Sequence, residues 1–208
     1  RHGFADTDPG QYYPTARAYR HVLAAAGFVD IHAELIPRQT QLPGSMSGLE
    51  LLKQLRQLPD WGTRKVIMLI SSSCDIRPML LAGADNKLGL RTRLPFDAYV
   101  AMSPQGVGSI FPANAWQGVK SPVYALTGTE DKELNADWTS RLQAFRSMPP
   151  GCKWQGVVEG ANHRAFGRGG SADESALITG SVMAFLDGVK VKNCSAAFRR
   201  KGITIETK

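Results

Sequence analysis

Three short polar segments of this chain hold the side-chain types from which nucleophilic hydrolysis is built. Ser71-Ser-Ser-Cys74 offers hydroxyls and a thiol, Gly128-Thr-Glu-Asp131 a carboxylate, and Gly160-Ala-Asn-His163 an imidazole. A serine hydroxyl is a weak nucleophile until a histidine takes its proton, and the histidine works best when a carboxylate orients it. Nucleophile, acid and histidine in that chain order is one of the recurring arrangements of such a triad. Each member also has a plainer reading. Ser72 suits a helix N-cap as well as it suits a nucleophile. Asp131 can be a turn residue, although its place behind an apolar run and a Gly-Thr pair favours the acid. His163 is one of four histidines, and its Gly-rich loop after the last clear strand favours the imidazole role. Cys74 could itself serve as a nucleophile, but its offset of two residues from Ser72 favours a buried structural thiol. Of the remaining histidines, His21 falls on the polar side of a predicted helix, His32 within a predicted strand, and His2 near the border of the site.

The elements that must carry these segments alternate along the chain. Ala16, Tyr19, Val22, Leu23 and Ala26 recur at helical spacing, with Gly27 as a stop, so 15–26 is predicted helical. A strand fits 28–35, and Leu49, Leu52 and Leu55 mark a second helix ending near Pro59. Val66-Ile-Met-Leu-Ile70 is short, apolar and rich in β-branched residues, as a buried parallel strand is. A helix over 76–84, with Pro78 in its first turn, precedes a strand over 98–102. Strands over 122–127 and 154–158 flank a helix marked by Leu134, Trp138, Leu142 and Phe145, and Ile178, Val182, Phe185 and Leu186 mark the last helix. This alternation predicts an α/β fold with a parallel or mostly parallel sheet and helices on both faces. In such sheets the working residues sit in loops beyond the carboxyl ends of the strands, where all three polar segments fall.

Composition sets the remaining bounds. A chain of 208 residues, 43% hydrophobic and 21% charged, is predicted to form one domain over 1–208 with a sizeable core. It has no apolar run long enough to cross a membrane and no signal-peptide segment at its start. It begins with Arg1 instead of Met, which reads as a processed or truncated product. The net charge of +7 permits polyanion binding. Much of the excess lies in a basic stretch over about 189–208, read as a solvated tail, so no nucleic-acid partner is expected. Cys74, Cys152 and Cys194 are too scattered for a zinc site or a disulfide framework. They admit one bridge, best drawn from Cys152 to Cys194 with Cys74 free, and the cellular compartment stays open. Gly106-Val-Gly108 lacks the third glycine of a dinucleotide fingerprint, and no phosphate loop or His-Glu-x-x-His occurs, so no metal or cofactor is expected. Gly44-Ser-Met-Ser-Gly48 has the glycine spacing of a nucleophile turn, but Met46 stands at its centre and no buried strand precedes it.

At these segments the sequence resembles the α/β-hydrolase superfamily, and more closely its predicted dienelactone hydrolases and related esterase- or lipase-like members. The likeness is carried by His2-Gly-Phe4, Met79-Leu-Leu-Ala-Gly-Ala84, Ser103-Pro-Gln-Gly106, Leu126-Thr-Gly-Thr-Glu-Asp131, Gly160-Ala-Asn-His163 with Phe166-Gly167, Pro149-Pro-Gly-Cys-Lys153 and Ala184-Phe-Leu-Asp187. It implies a three-layer α/β-hydrolase fold with a mostly parallel central sheet. If His2-Gly3 is matched to the family's third-strand loop, the first strands have no counterpart. By position it also implies Ser72 as nucleophile, Asp131 as acid and His163 as base, with the backbone N–H groups of Phe4 and Ser73 as the oxyanion hole. The family's Gly-x-Ser-x-Gly elbow reads Ile70-Ser-Ser-Ser-Cys74 here, without either glycine. That leaves a relaxed turn, a shifted register that uses Ser71 or Ser73, or a dead site. Tyr12, Tyr13, Phe111 and Trp116 are candidates for a substrate-pocket wall, with core packing as the plainer alternative.

The resulting expectation is a serine hydrolase of a small or medium carboxylic ester. Its rivals are a catalytically silent protein of the same fold that binds a ligand or partner in the cleft, and a polyanion-binding module resting on charge alone.

Overall fold

The computed structural model describes residues 29–30, 67–71, 77–89, 96–132, 137–166, 170–195 and 198–208. Predicted elements within 1–28 and 31–66 lie outside them. The described strands form one sheet in sequence order: β1 (Val29–Asp30), β2 (Ile67–Ser71), β3 (Ala98–Met102), β4 (Val123–Glu130), β5 (Lys153–Asn162) and β6 (Ile203–Thr207). The first five run parallel and β6 is antiparallel to β5. The protein is therefore a mixed α/β structure with a mostly parallel sheet.

The period-two alternation of the strands splits the core between two faces. Tyr99, Ala101, Val123 and Ala125 point to one face, where they pack with Met79, Leu80 and Leu81 from α1 (Arg77–Leu81) and with Ala144 from α2 (Gln143–Ser147). Ala98, Val100, Met102, Tyr124, Leu126 and Trp154 point to the other, against Ile178, Val182, Phe185 and Leu186 of α3 (Ala172–Lys190). Tyr124, Trp154 and Phe185 form an aromatic triangle there, with ring centroids 5.4–5.6 Å apart. All five residues of β3 are buried, as its uninterrupted apolar run predicts for an interior parallel strand. The start of α3 follows from local chemistry. Ser171 accepts from the Glu174 backbone N–H while the Glu174 carboxylate accepts from that of Ser171, a reciprocal capping box.

Three sequence expectations are revised. The helix marked by Leu134, Trp138, Leu142 and Phe145 is, within the described residues, a 3-10 helix (Trp138–Leu142) that passes into α2, and Leu134 lies outside them. The helix expected over 76–84 ends at Leu81, spanning Arg77–Leu81 within the described residues. The basic stretch over 189–208 is not a solvated tail throughout: Ile203–Thr207 pairs with Val158–Trp154 as β6. Ile203 and Ile205 turn partly inward onto the α3 face of the sheet while Thr204 and Glu206 face solvent, which is the alternation of an edge strand with one covered face. Cys152 and Cys194 are joined, Cα atoms 5.2 Å apart, tying the start of β5 to the segment after α3. Among the described residues no helix is long and apolar enough to cross a membrane.

Candidate active site

Parallel strands bring their carboxyl ends to one edge, so the residues that follow β3, β4 and β5 are neighbours there. These are Ser103, Asp131 and His163. The pairing of β4 with β5 slips between Gly128 and Glu130, which sets Glu130 opposite Asn162. The next residue on each strand is then Asp131 or His163, and a bulge at this point re-aims the two side chains together. The close approach needs Gly128. A Cβ there would lie 2.7 Å from the Ala161 Cβ and closer still to the Ala161 carbonyl.

The His163 Nδ1 lies 2.8 Å from Asp131 Oδ1 and 3.0 Å from the Ser103 hydroxyl. The Asp131 side chain has no exposure, whereas that of His163 is 16% exposed. A buried carboxylate is costly unless donors surround it, and here they do. Thr127 donates its hydroxyl to Oδ2 at 2.9 Å, and the Arg141 Nε stands 3.0 Å from the same oxygen. Burial alone would raise the Asp131 pKa, but hydrogen bonds from His163 and Ser103 and the charge of Arg141 outweigh it and hold the carboxyl below its usual value. The carboxyl is therefore held ionised although it is buried.

Arg141 does more than balance charge. Its guanidinium is buried and also donates to the carbonyls of Ser103 at 3.2 Å and Pro104 at 3.4 Å. It thus joins the turn after β3 to the turn after β4. Ser103 occupies the left-handed region, φ 54°, immediately before a proline. A non-glycine residue there costs about 1–3 kcal/mol unless its surroundings fix it. The Arg141 bond to its carbonyl and its own N–H bond to Leu126 O at 2.6 Å supply that fixing.

The predicted site residues are thus distributed unevenly. Asp131 and His163 are in contact. Ser72, Ser73, Phe4, Tyr12 and Tyr13 lie outside the described residues. Phe111 and Trp116 have no exposure and pack on each other, ring centroids 5.2 Å apart, within the α1 face of the core. Their surfaces are spent on packing, so they do not wall an open pocket. Ser103, Thr127 and Arg141 were not singled out as site residues from the sequence. Ser103 had a usable signal, since it follows a parallel strand directly at its carboxyl end, whereas Thr127 lies within β4. Arg141 had none, because its partners are distant in sequence. Among the described residues no cluster of three or more metal-ligating side chains occurs.

No protein-family model matches the chain, and no curated protein matches it. Among solved structures the chain is similar to TT1662 from Thermus thermophilus, at 19% identity and a TM-score of 0.43, over 70% of this chain and 65% of that one. The chain thus spans just under two thirds of that neighbour's length.

Proposed function

We propose that the protein is a single-domain α/β-hydrolase-fold enzyme that cleaves a small or medium carboxylic ester through Ser72, His163 and Asp131. The observation that carries this reading is the His163 Nδ1 to Asp131 Oδ1 contact of 2.8 Å, made on a buried, ionised acid at the carboxyl edge of the parallel sheet. A histidine so held keeps Nε2 for proton transfer. In the reaction the Ser72 hydroxyl loses its proton to His163 Nε2 as its oxygen attacks the ester carbonyl. The backbone N–H groups of Phe4 and Ser73 hold the oxyanion, and the imidazolium then protonates the departing alcohol. Water, activated by the same imidazole, hydrolyses the acyl-serine. Asp131 stays ionised throughout and stabilises the imidazolium. The loop that must supply the hydroxyl follows β2, which pairs directly with β3.

The test is labelling by a fluorophosphonate followed by peptide mapping. One serine, Ser72, is expected to react, and His163→Ala is expected to abolish the reaction. Hydrolysis of a p-nitrophenyl ester at an undiminished rate by Ser72→Ala protein would remove Ser72 from the mechanism. A second reading, a silent protein of the same fold that binds a ligand in the cleft, is favoured by the loss of both elbow glycines in Ile70-Ser-Ser-Ser-Cys74. It predicts no labelling, with ligand-dependent thermal stabilisation in its place.

A further inference from the structure

We infer that Ser103 is a positioning residue on the acid side of His163, one that helps fix the imidazole proton on Nδ1 and is not itself the nucleophile. At first sight the geometry suggests the opposite, because His163 contacts both Ser103 and Asp131 and Ser103 has the positive φ of a strained nucleophile turn. The atoms decide otherwise. The Ser103 hydroxyl and the Asp131 carboxylate approach the same ring nitrogen, Nδ1, at 3.0 and 2.8 Å. A nucleophile and an orienting acid must instead sit on opposite nitrogens, since the base takes a proton through one while the acid holds the proton on the other.

Only one proton arrangement satisfies every partner. An ionised carboxylate accepts and cannot donate, and Asp131 already takes the Thr127 hydroxyl and the Arg141 guanidinium on Oδ2. A bare Nδ1 would set its lone pair against Oδ1, so Nδ1 carries the proton and shares it between Oδ1 and the Ser103 oxygen. The Ser103 hydrogen is then free to go to Asp131, with which its side chain is also hydrogen-bonded. The three groups close a triangle in which Ser103 has no basic nitrogen to receive its proton. Burial agrees with this, because Ser103 has no exposed surface. The consequence is that Nε2 is the reactive nitrogen and that the attacking hydroxyl comes from another loop. This catalytic consequence rests on the hydrolase reading; the proton arrangement does not.

The deciding experiment is NMR of the full chain with 15N-labelled histidine, above the pH at which the imidazole titrates. The expected spectrum has His163 protonated at Nδ1 and unprotonated at Nε2, with a low-field Nδ1–H resonance that moves in both Ser103→Ala and Ser103→Gly. The glycine variant tolerates the positive φ, so a shift common to both reports the hydroxyl and not the backbone. A His163 protonated at Nε2 with a bare Nδ1 would overturn the inference, as would a low-field resonance unmoved in both variants. Fluorophosphonate labelling gives the second readout. Ser103→Ala should slow labelling by about threefold to tenfold, the worth of one hydrogen bond, with the adduct still in the loop after β2. An adduct on Ser103 in the wild-type protein overturns the inference. An unlabelled wild-type protein with the expected tautomer refutes the hydrolase reading and upholds this one.

Discussion

Replacing Arg141 by Met keeps most of the side-chain length and removes the cation, so it isolates what the charge does. The wild-type guanidinium has 3% exposure and faces a carboxylate with none. Removing one partner of a buried ion pair costs about 3–5 kcal/mol, because the other charge is left in a medium that solvates it poorly. Asp131 retains donors from Thr127, His163 and Ser103, which places the expectation at the lower end, about 3 kcal/mol. With an m-value of roughly 2 kcal/mol/M in urea, that moves the unfolding midpoint down by roughly 1.5 M. The pH dependence has a definite sign. The folded-state pKa of Asp131 is lowered, so its contribution to stability is complete above the unfolded value of about 3.9 and is lost as pH falls through the folded value. In Arg141→Met the folded value rises, and acid unfolding should begin at higher pH. Urea titrations of the wild type, Arg141→Met, Asp131→Asn and the double variant close a cycle. In the Asp131→Asn background the Arg141 replacement should cost far less, since it removes a cation that has lost its counter-charge. An equal cost in both backgrounds, or a midpoint shift below roughly 0.3 M, would refute the claim that Arg141 acts on Asp131.

Gly128→Ala should lower stability by about 1–3 kcal/mol through overpacking against Ala161 and slow fluorophosphonate labelling as well; a melting temperature equal to the wild type's would show that β4 and β5 do not depend on that close approach. Reducing the Cys152–Cys194 bridge, which closes a separation of 42 residues, should cost about 4 kcal/mol by the chain-entropy relation, measured as urea midpoints with and without dithiothreitol. Unchanged midpoints on complete reduction would count against that estimate. Burial pushes the Lys153 ammonium down to about 8, below its unfolded value of about 10.4. The unfolded chain therefore binds more protons between those two values, and wild-type stability should gain a rising contribution across that window. Lys153→Met removes that gain, so melting temperatures of the two proteins followed from pH 7.5 to roughly 10.5 should diverge upward for the wild type, and parallel curves would refute the assignment.

Strand positions were legible in the sequence wherever apolar residues ran without interruption between polar loops. Residues 98–102 form β3 as predicted, and β2 covers 67–70 of the strand predicted over 66–70 and adds Ser71. Boundaries failed where the cause was not local. β4 runs on through Gly128 to Glu130 because β5 stays beside it through a bulge, and nothing within 122–127 announces that continuation. β6 is obscured for a different reason. The Lys and Arg residues of the C-terminal stretch give it the charge of a solvated tail, while only Ile203 and Ile205 carry the alternation of a strand. The contact of Asp131 with His163 was foreshadowed by loops at the carboxyl ends of neighbouring strands. The buried guanidinium beneath it was not, because an arginine that serves a carboxylate and two carbonyls looks the same in sequence as one on the surface.

The docking of β6 along β5 also sets an order of assembly. The strand that leads to the imidazole has β4 on one side and needs residues 203–207 on the other, so a nascent chain that has emerged only as far as α3 carries β5 as an open border with unpaired N–H and C=O groups. Until the last strand arrives, that border can recruit the equivalent strand of a neighbouring polypeptide, and crowding during synthesis makes such mispairing a hazard. Truncations that stop before Ile203 should therefore yield self-associating material even though every residue of the Asp131–His163 pair is present.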